Sequence, residues 1–163
     1  MIEIITGDLL EAKEKYIAHQ TNCISTGGAA GIARIIFDKW PYADCYIGRK
    51  ETSTPSTPGT IDIRGNGIEQ RRIINVHAQY YPGKCRFPLS SLDGLVAREK
   101  YFYKGLLQIA KIDDLESIAF PWRIGCGLGG GDWEHYIGKL TLFSNYLETK
   151  GVKVVIYRRV GDE

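Results

Sequence analysis

Two glycine-rich segments contain the residue types best suited to binding an anion. The first, HQTNCISTGGAAGIA, covers residues 19–33, and the second, IGCGLGGGDW, covers residues 124–133. Each lies between a strand-like and a helix-like stretch, so its free backbone N–H groups and the helix dipole favour a phosphate. For the first segment a structural explanation is equally good, because close packing of a helix on a sheet also requires small side chains.

The common nucleotide-binding signatures do not account for these segments. The second contains a GxGxxG pattern at Gly125, Gly127 and Gly130. A dinucleotide-binding fold needs an acidic residue at a strand end about 20 residues later, whereas the sequence around Glu148 reads as helix. The sequence GxxxxGK[ST] is absent, which excludes a P-loop.

Several side chains in these segments could take part in a reaction. His19 lies in a predicted strand, where a histidine is usually a satisfied core group. Asp132 is predicted to cap the following helix. Asn22 is either a turn former or a ligand donor. Cys126 has no evident base nearby, so we interpret it as a binding-loop residue and not as a nucleophile.

The periodicity of apolar residues predicts an α/β fold formed by one domain over residues 1–163. Such a sheet is covered on both faces and binds ligands beyond the carboxyl ends of its strands. The loop YYPGKCRFPLSSLDG, residues 80–94, is long enough to be functional. The predicted strands cover residues 2–6, 16–21, 59–64, 72–79, 117–121 and 152–157, and the predicted helices cover residues 31–40, 96–110 and 132–150.

Composition makes several function classes improbable. Lys and Arg total 21 against 19 for Asp and Glu, a net charge of +2 that lacks the basic bias of most nucleic-acid binders. The four cysteines have no zinc-site spacing, and we predict free thiols. No apolar run approaches the roughly 20 residues that span a bilayer, so we expect no membrane partner and a cytoplasmic or nuclear location.

Three motifs together resemble the conserved loops of macro domains. They are GDLL at residues 7–10, the first glycine-rich segment, and FPWRIGCGLGGGDWEHY at residues 120–136. The resemblance covers nearly the whole chain and looks closest to the branch with the fungal ADP-ribose-1''-phosphate phosphatase and the terminal ADP-ribose protein glycohydrolase. It implies a three-layer α/β/α fold with a mixed central sheet, ADP-ribose as ligand or product, and no metal or cofactor.

The resemblance also implies roles for individual residues. Asp8, with Leu9 beside it, would accept a hydrogen bond from the adenine amino group, although Asp8 could equally cap a turn. Asn22 would lie near the distal ribose, and Trp133 would stack on the ligand or complete the core. The diphosphate and the distal ribose would be held by residues of both segments: Gly28, Ala29, Ala30, Gly31, Ile32, Ala33, Ile124, Gly125, Cys126, Gly127, Leu128, Gly129 and Gly130.

The resemblance makes His19 a candidate general acid or base, because the phosphatase and the glycohydrolase both have a histidine at the matching position. Beside its capping role, Asp132 would polarise a water or a hydroxyl at the distal ribose. The implied function is metal-independent hydrolysis at the distal ribose, by a monomer that acts on ADP-ribose-1''-phosphate with water activated by His19 or Asp132. A glycohydrolase acting on ADP-ribosylated protein or nucleic acid, and a non-catalytic ADP-ribose reader, are the alternatives; binding of another nucleotide is a third. The glycohydrolase has an aspartate directly after GCGL, where this chain has Gly129. It also uses a loop lysine to form a covalent sugar intermediate, and Lys84 lies in a comparable loop.

Overall fold

The computed structural model describes residues 1–162. Within these residues, six strands form one mixed sheet in the order β1-β6-β5-β2-β4-β3. All neighbouring strands are parallel except β3, which runs antiparallel to β4 at one edge. The strands are β1 Glu3–Thr6, β2 Tyr16–Asn22, β3 Ile61–Arg64, β4 Arg72–Gln79, β5 Ser117–Pro121 and β6 Lys153–Arg158.

Four α-helices cover the two faces of the sheet and produce the predicted three-layer α/β/α architecture. Helices α1 (Gly31–Lys39) and α2 (Cys45–Thr52) pack with one apolar cluster, and α3 (Leu95–Ile109) and α4 (Trp133–Glu148) pack with the other. Two single-turn 3₁₀ helices cover Leu9–Glu11 and Pro41–Ala43. Within residues 1–162, none of the helices combines the length and hydropathy needed to cross a bilayer.

The central strands are buried on both faces, as parallel strands between two helical layers must be. All seven residues of β2 are buried. Tyr16 and Ala18 pack into the cluster under α3 and α4, whereas Ile17 packs under α1 and α2. The period of two along a strand therefore directs His19 to the α1 and α2 side and Gln20 to the α3 and α4 side.

Helix α2 is the one α-helix that the periodicity did not predict. Only Cys45, Tyr46 and Arg49 of this short, charged helix are buried, so its apolar stripe is weak. The signal that could have identified it is Asp44, whose carboxylate accepts a hydrogen bond from the Tyr46 N–H as a helix cap. The other predicted elements agree with the structure to within one or two residues at each end.

The parallel strands bring their carboxyl ends to one edge of the sheet. Asp8 follows β1, the first glycine-rich segment follows β2, and the second follows β5. The loop over residues 80–94 begins directly after β4 at the same edge. This edge is where an α/β sheet is expected to bind ligands.

Candidate functional site

A cleft of about 780 Å³ lies at the carboxyl edge of the sheet. Its volume is typical of small-molecule sites. The structure brings together most of the binding residues predicted from the sequence. Those that line the cleft are Asp8, Leu9, Asn22, Gly28, Ala29, Ala30, Gly31, Ile32, Ala33, Ile124, Gly125, Gly127, Leu128 and Gly129.

The two glycine-rich segments meet each other across the cleft. Gly31, the first residue of α1, has a φ of 59° in the left-handed region. A Cβ atom at this position would come within 2.8 Å of Leu128 Cδ1. Leu128 itself is 60% exposed. Its side chain therefore extends from the second segment onto the beginning of α1.

The second segment is wound so that several amides remain available to a ligand. The Gly131 N–H donates to the Gly125 carbonyl at 3.0 Å, which closes the loop on itself. Within residues 1–162, no protein group accepts a hydrogen bond from the N–H of Gly127, Leu128 or Gly129. All three residues line the cleft. Together with the unpaired N–H groups at the start of α1, they form an anion-binding arrangement.

Asp8 has one carboxylate oxygen in a local hydrogen bond and presents its carboxylate to the cleft. Its Oδ1 accepts a hydrogen bond from the Leu10 N–H at 2.9 Å and caps the short 3₁₀ helix. Tyr157 and Arg159 line the same end of the cleft, because β6 pairs with β1 directly before Asp8. The capping role considered from the sequence is thus present, and it leaves the second oxygen for another donor.

Asn22 uses its side chain to shape the first segment. Its Oδ1 accepts hydrogen bonds from the backbone N–H groups of Ile24 and Ser25, and its Nδ2 donates to Ser25 Oγ at 2.9 Å. The buried Arg49 donates to the Asn22 carbonyl at 2.7 Å and to Ser56. Of the two roles predicted for Asn22, the structure shows the turn former.

His19 does not reach the cleft, so its predicted role as general acid or base is wrong. The side chain is 0% exposed on the α1 and α2 side of the sheet, edge-on to Phe37. Its Nε2 is 2.6 Å from Asn75 Oδ1. Burial lowers the pKa of His19 from its ordinary value of 6.5 to about 4. The imidazole is therefore a neutral core group.

Acid should destabilise the protein through His19 and the second buried histidine, His77. Burial lowers the pKa of each to about 4. Between pH 6.5 and 4 the unfolded chain binds protons that the native state excludes, so stability is lost as the pH falls. Each histidine contributes up to about 1.4 kcal/mol per pH unit in this window. Urea unfolding between pH 7 and pH 5 should give a smaller loss for His19→Asn than for the native chain. Equal losses would contradict the assignment.

Asp132 and Trp133 also lie outside the cleft lining. Asp132 Oδ1 accepts a hydrogen bond from the Glu134 N–H at 3.0 Å, which confirms the predicted cap of α4. Its side chain is 56% exposed and lies 3.7 Å from His135, so the structure does not support a water-polarising role. Trp133 packs edge-on against Trp122, with 5.0 Å between ring centroids, and completes the core instead of facing the cleft.

The remaining predicted residues are Cys126 and Gly130, which belong to the second segment, and Lys84, which lies beside it. Cys126 is buried in the α3 and α4 cluster, where burial raises the pKa of its thiol to about 12. Gly130, with a φ of 72°, lies under the stem of Lys84: a Cβ there would meet Lys84 Cγ at 2.8 Å. Cys126 and Gly130 thus face protein and not the cleft, and Lys84 lies beside the loop without lining the cleft.

Two glutamines in the cleft wall were not predicted from the sequence. Gln20 Nε2 donates to Gln79 Oε1 at 2.8 Å, and Gln79 Nε2 donates to the Tyr81 carbonyl at 2.9 Å. Both side chains line the cleft, as do Pro82 and Gly83 in the next loop. The available signal was a glutamine near the carboxyl end of each of two buried strands, β2 and β4. Within residues 1–162, no group of three or more His, Cys, Asp or Glu residues is arranged to hold a metal ion.

Comparisons with solved structures agree with the fold described above. The chain is similar to the macrodomain of Mycobacterium tuberculosis DarG, with 25% identity, a TM-score of 0.74, and coverage of 96% of this chain and 97% of the other. It is also similar to the macrodomain of Thermus aquaticus DarG, with 26% identity, a TM-score of 0.72, and coverage of 97% of this chain and 98% of the other. A mutant Oceanobacillus iheyensis macrodomain with ADPR shares the fold at 21% identity, with a TM-score of 0.66 and coverage of 99% and 86%. No protein-family model matches the sequence, and a search of curated proteins gives no match.

Proposed function

The chain is a macrodomain, and from this premise we propose that its cleft binds ADP-ribose, free or attached to another molecule. The adenine lies at the Asp8 end, where its amino group donates a hydrogen bond to the Asp8 carboxylate. The diphosphate lies between the two glycine-rich segments. The distal ribose lies at the end lined by Gln79, Pro82 and Gly83. A structurally similar macrodomain has been determined with ADPR, which supports this choice of ligand.

The observation that supports the proposal most strongly is the set of free amides facing the cleft. The N–H groups of Gly127, Leu128 and Gly129 and those at the start of α1 belong to residues that line one cleft, and no protein group within residues 1–162 accepts a hydrogen bond from them. Backbone amides and a helix N-terminus bind a diphosphate without any cationic side chain. The carboxylate of Asp8 is a suitable acceptor for an exocyclic amine at one end of such a ligand.

Thermal unfolding with and without ADP-ribose tests this proposal. At a ligand concentration about 100 times Kd, binding to the native state adds about 2.7 kcal/mol, which corresponds to a Tm increase of about 5–10 °C. Ribose 5-phosphate, which lacks the adenine and the diphosphate, should raise Tm by less than about 2 °C at the same concentration. Equal shifts with both compounds would count against an adenine-reading cleft.

We further propose that the protein is a metal-independent hydrolase that releases ADP-ribose from a modified protein or nucleic acid. Phosphatase action on ADP-ribose-1''-phosphate loses support, because His19 and Asp132 do not line the cleft. Lys84 does not line the cleft either, but it directly follows the cleft-lining residues Pro82 and Gly83, and its stem lies on Gly130. These contacts support Lys84 as the residue whose amine reaches the distal end of the ligand.

The reaction that fits an amine at this position proceeds in two steps. The Lys84 amine forms a bond to C1'' of the distal ribose while the bond from C1'' to the acceptor breaks, and the acceptor leaves with the electron pair and takes up a proton from the nitrogen. Water then hydrolyses the C1''–nitrogen bond, which releases ADP-ribose and restores the amine. A chain that binds ADP-ribose without this reaction is a reader module.

Replacing Lys84 distinguishes hydrolase from reader. Lys84→Ala should lower kcat for release of ADP-ribose at least 100-fold and change ADP-ribose affinity less than threefold, because the amine acts in the reaction and not in ground-state binding. Lys84→Arg should be equally inactive, since a guanidinium is not a nucleophile at neutral pH. The measurements are turnover of mono-ADP-ribosylated protein and DNA, and mass spectrometry after cyanoborohydride has reduced the ring-opened iminium form of the Lys84 adduct.

The exposed Lys100 on α3 provides the matched control. Lys100→Ala removes an exposed lysine that does not line the cleft and should keep native turnover. If Lys84→Ala retains the turnover of Lys100→Ala, the nucleophile is another group. If the native chain binds ADP-ribose but releases none from either substrate, it is a reader module.

A further inference from the structure

Arg98 is a buried arginine that the proposed reaction does not use. It lies on α3 and is 3% exposed. Its Nε donates to Asp93 Oδ1 at 3.0 Å and its Nη2 donates to Asp93 Oδ2 at 2.7 Å, so the two side chains form a bidentate pair. A buried guanidinium is tolerated only when its charge and its remaining donors are satisfied.

The remaining donors of Arg98 connect two different segments of the cleft wall. Nη1 donates to the Gly83 carbonyl at 2.7 Å and to the Gly129 carbonyl at 3.2 Å. Nη2 donates to the Tyr81 carbonyl at 3.2 Å. Gly83 belongs to the loop after β4, whereas Gly129 belongs to the second glycine-rich segment, and both line the cleft. A single side chain thus holds these two segments together.

Asp93 fixes the other side of this connection. Its Oδ1 also accepts a hydrogen bond from the Tyr80 N–H at 2.7 Å, at the beginning of the 80–94 loop. The loop closes tightly at Gly94, where a Cβ would collide with the carbonyl oxygens of Pro88 and Ser90. Both ends of the loop are therefore held at the Asp93–Arg98 pair, and the turn that carries Lys84 lies between them.

From these contacts we infer that Arg98 is a positioning residue that fixes the 81–83 turn against the second glycine-rich segment and thereby shapes the end of the cleft that holds the distal ribose. The inference rests on the proposed function. Only a planar group with several donors can bond Asp93, Gly83 and Gly129 together; a lysine ammonium keeps the charge but cannot span all three. Arg98 acts through backbone carbonyls and does not itself contact the ligand in this arrangement.

Arg98→Lys tests the inference by the affinity ratio of two ligands. ADP lacks the distal ribose, so loosening the 81–83 turn should weaken ADP-ribose binding about tenfold and ADP binding less than threefold. Calorimetry measures both constants. Hydrogen exchange followed by mass spectrometry should show faster exchange in residues 80–94 and in residues 124–131 together, and ADP-ribose should slow both.

A control variant separates positioning from general destabilisation. Leu147→Ala creates a cavity at the far end of α4, away from the cleft, and lowers Tm without touching either segment. It should leave the affinity ratio within twofold of the native value. If Arg98→Lys does not fold, Asp93→Asn/Arg98→Gln removes the carbonyl contacts without leaving an unpaired charge, and the same result is expected.

The outcomes separate this inference from the proposed function. An unchanged affinity ratio and unchanged exchange in Arg98→Lys would overturn the positioning role. Exchange that rises in only one of the two segments would show that Arg98 does not couple them, which also overturns it. A native chain that binds neither ligand would refute the proposed function, while the exchange data would still decide whether Arg98 links the two segments.

Discussion

Asp8→Asn should weaken ADP-ribose binding about 10- to 100-fold and leave Tm unchanged. The asparagine oxygen can still accept the hydrogen bond from the Leu10 N–H that caps the 3₁₀ helix. Its amide nitrogen, however, presents donors to the adenine amino group, which is itself a donor. Loss of one hydrogen bond to a charged acceptor costs about 1.5–3 kcal/mol, which gives this range of affinity. Calorimetry and thermal unfolding measure the two quantities.

A hypoxanthine analogue of ADP-ribose provides the internal control for Asp8. Its exocyclic oxygen accepts a hydrogen bond, so it should bind Asp8→Asn more tightly than it binds the native chain. An opposite change in affinity for the two bases would identify Asp8 as the residue that reads the base. Equal losses for both ligands would mean that Asp8 acts on the fold of the cleft and not on the adenine.

Gly125→Ala should destabilise the protein by about 2–5 kcal/mol and abolish detectable ADP-ribose binding. Gly125 has a φ of 75°, where an L-residue pays about 1–2 kcal/mol. A Cβ would also lie 2.5 Å from the buried Tyr136 ring and 2.8 Å from Gln20 Oε1. Overpacking of this kind costs a further 1–3 kcal/mol or so. The expected decrease in Tm is about 5–15 °C, measured by circular dichroism.

Gly127→Ala is the matched substitution in the same loop. A Cβ at Gly127 meets no atom within 4 Å, and its backbone is not left-handed. Its stability should therefore stay within about 0.5 kcal/mol of the native value. If the two alanine variants unfold at the same temperature, the loop does not have the geometry described for Gly125.

Local sequence patterns predicted the fold. The wrong predictions concern residues whose position relative to the cleft depends on tertiary contacts. Periods of two and of three to four predicted the strands and three of the helices, and the glycine-rich segments predicted the edge of the sheet with the cleft. The predicted catalytic role of His19 was wrong because β2 is buried on both faces. The alternation of side chains along the strand therefore cannot indicate which face approaches the ligand. Asp132 was recognisable as a helix cap, whereas its distance from the cleft depends on how the whole loop winds.

The supporting polar residues had the weakest signals in the sequence. Arg98 occupies an ordinary polar position in a helical pattern, and it is buried because the 80–94 loop folds over it. Gln20 and Gln79 become partners only when β2 and β4 lie side by side. Contacts between residues distant in the sequence determine these roles, and no spacing within one segment encodes them.

Calorimetric titration of the native chain with ADP-ribose, beside ADP and NAD, is the sharpest test of ADP-ribose binding in this cleft. We expect one site per chain with a Kd in the micromolar range, about −8 kcal/mol, and weaker binding of both ADP, which lacks the distal ribose, and NAD, which carries nicotinamide at C1''. Absence of ADP-ribose binding, or equal affinity for all three compounds, would contradict the assignment of the cleft.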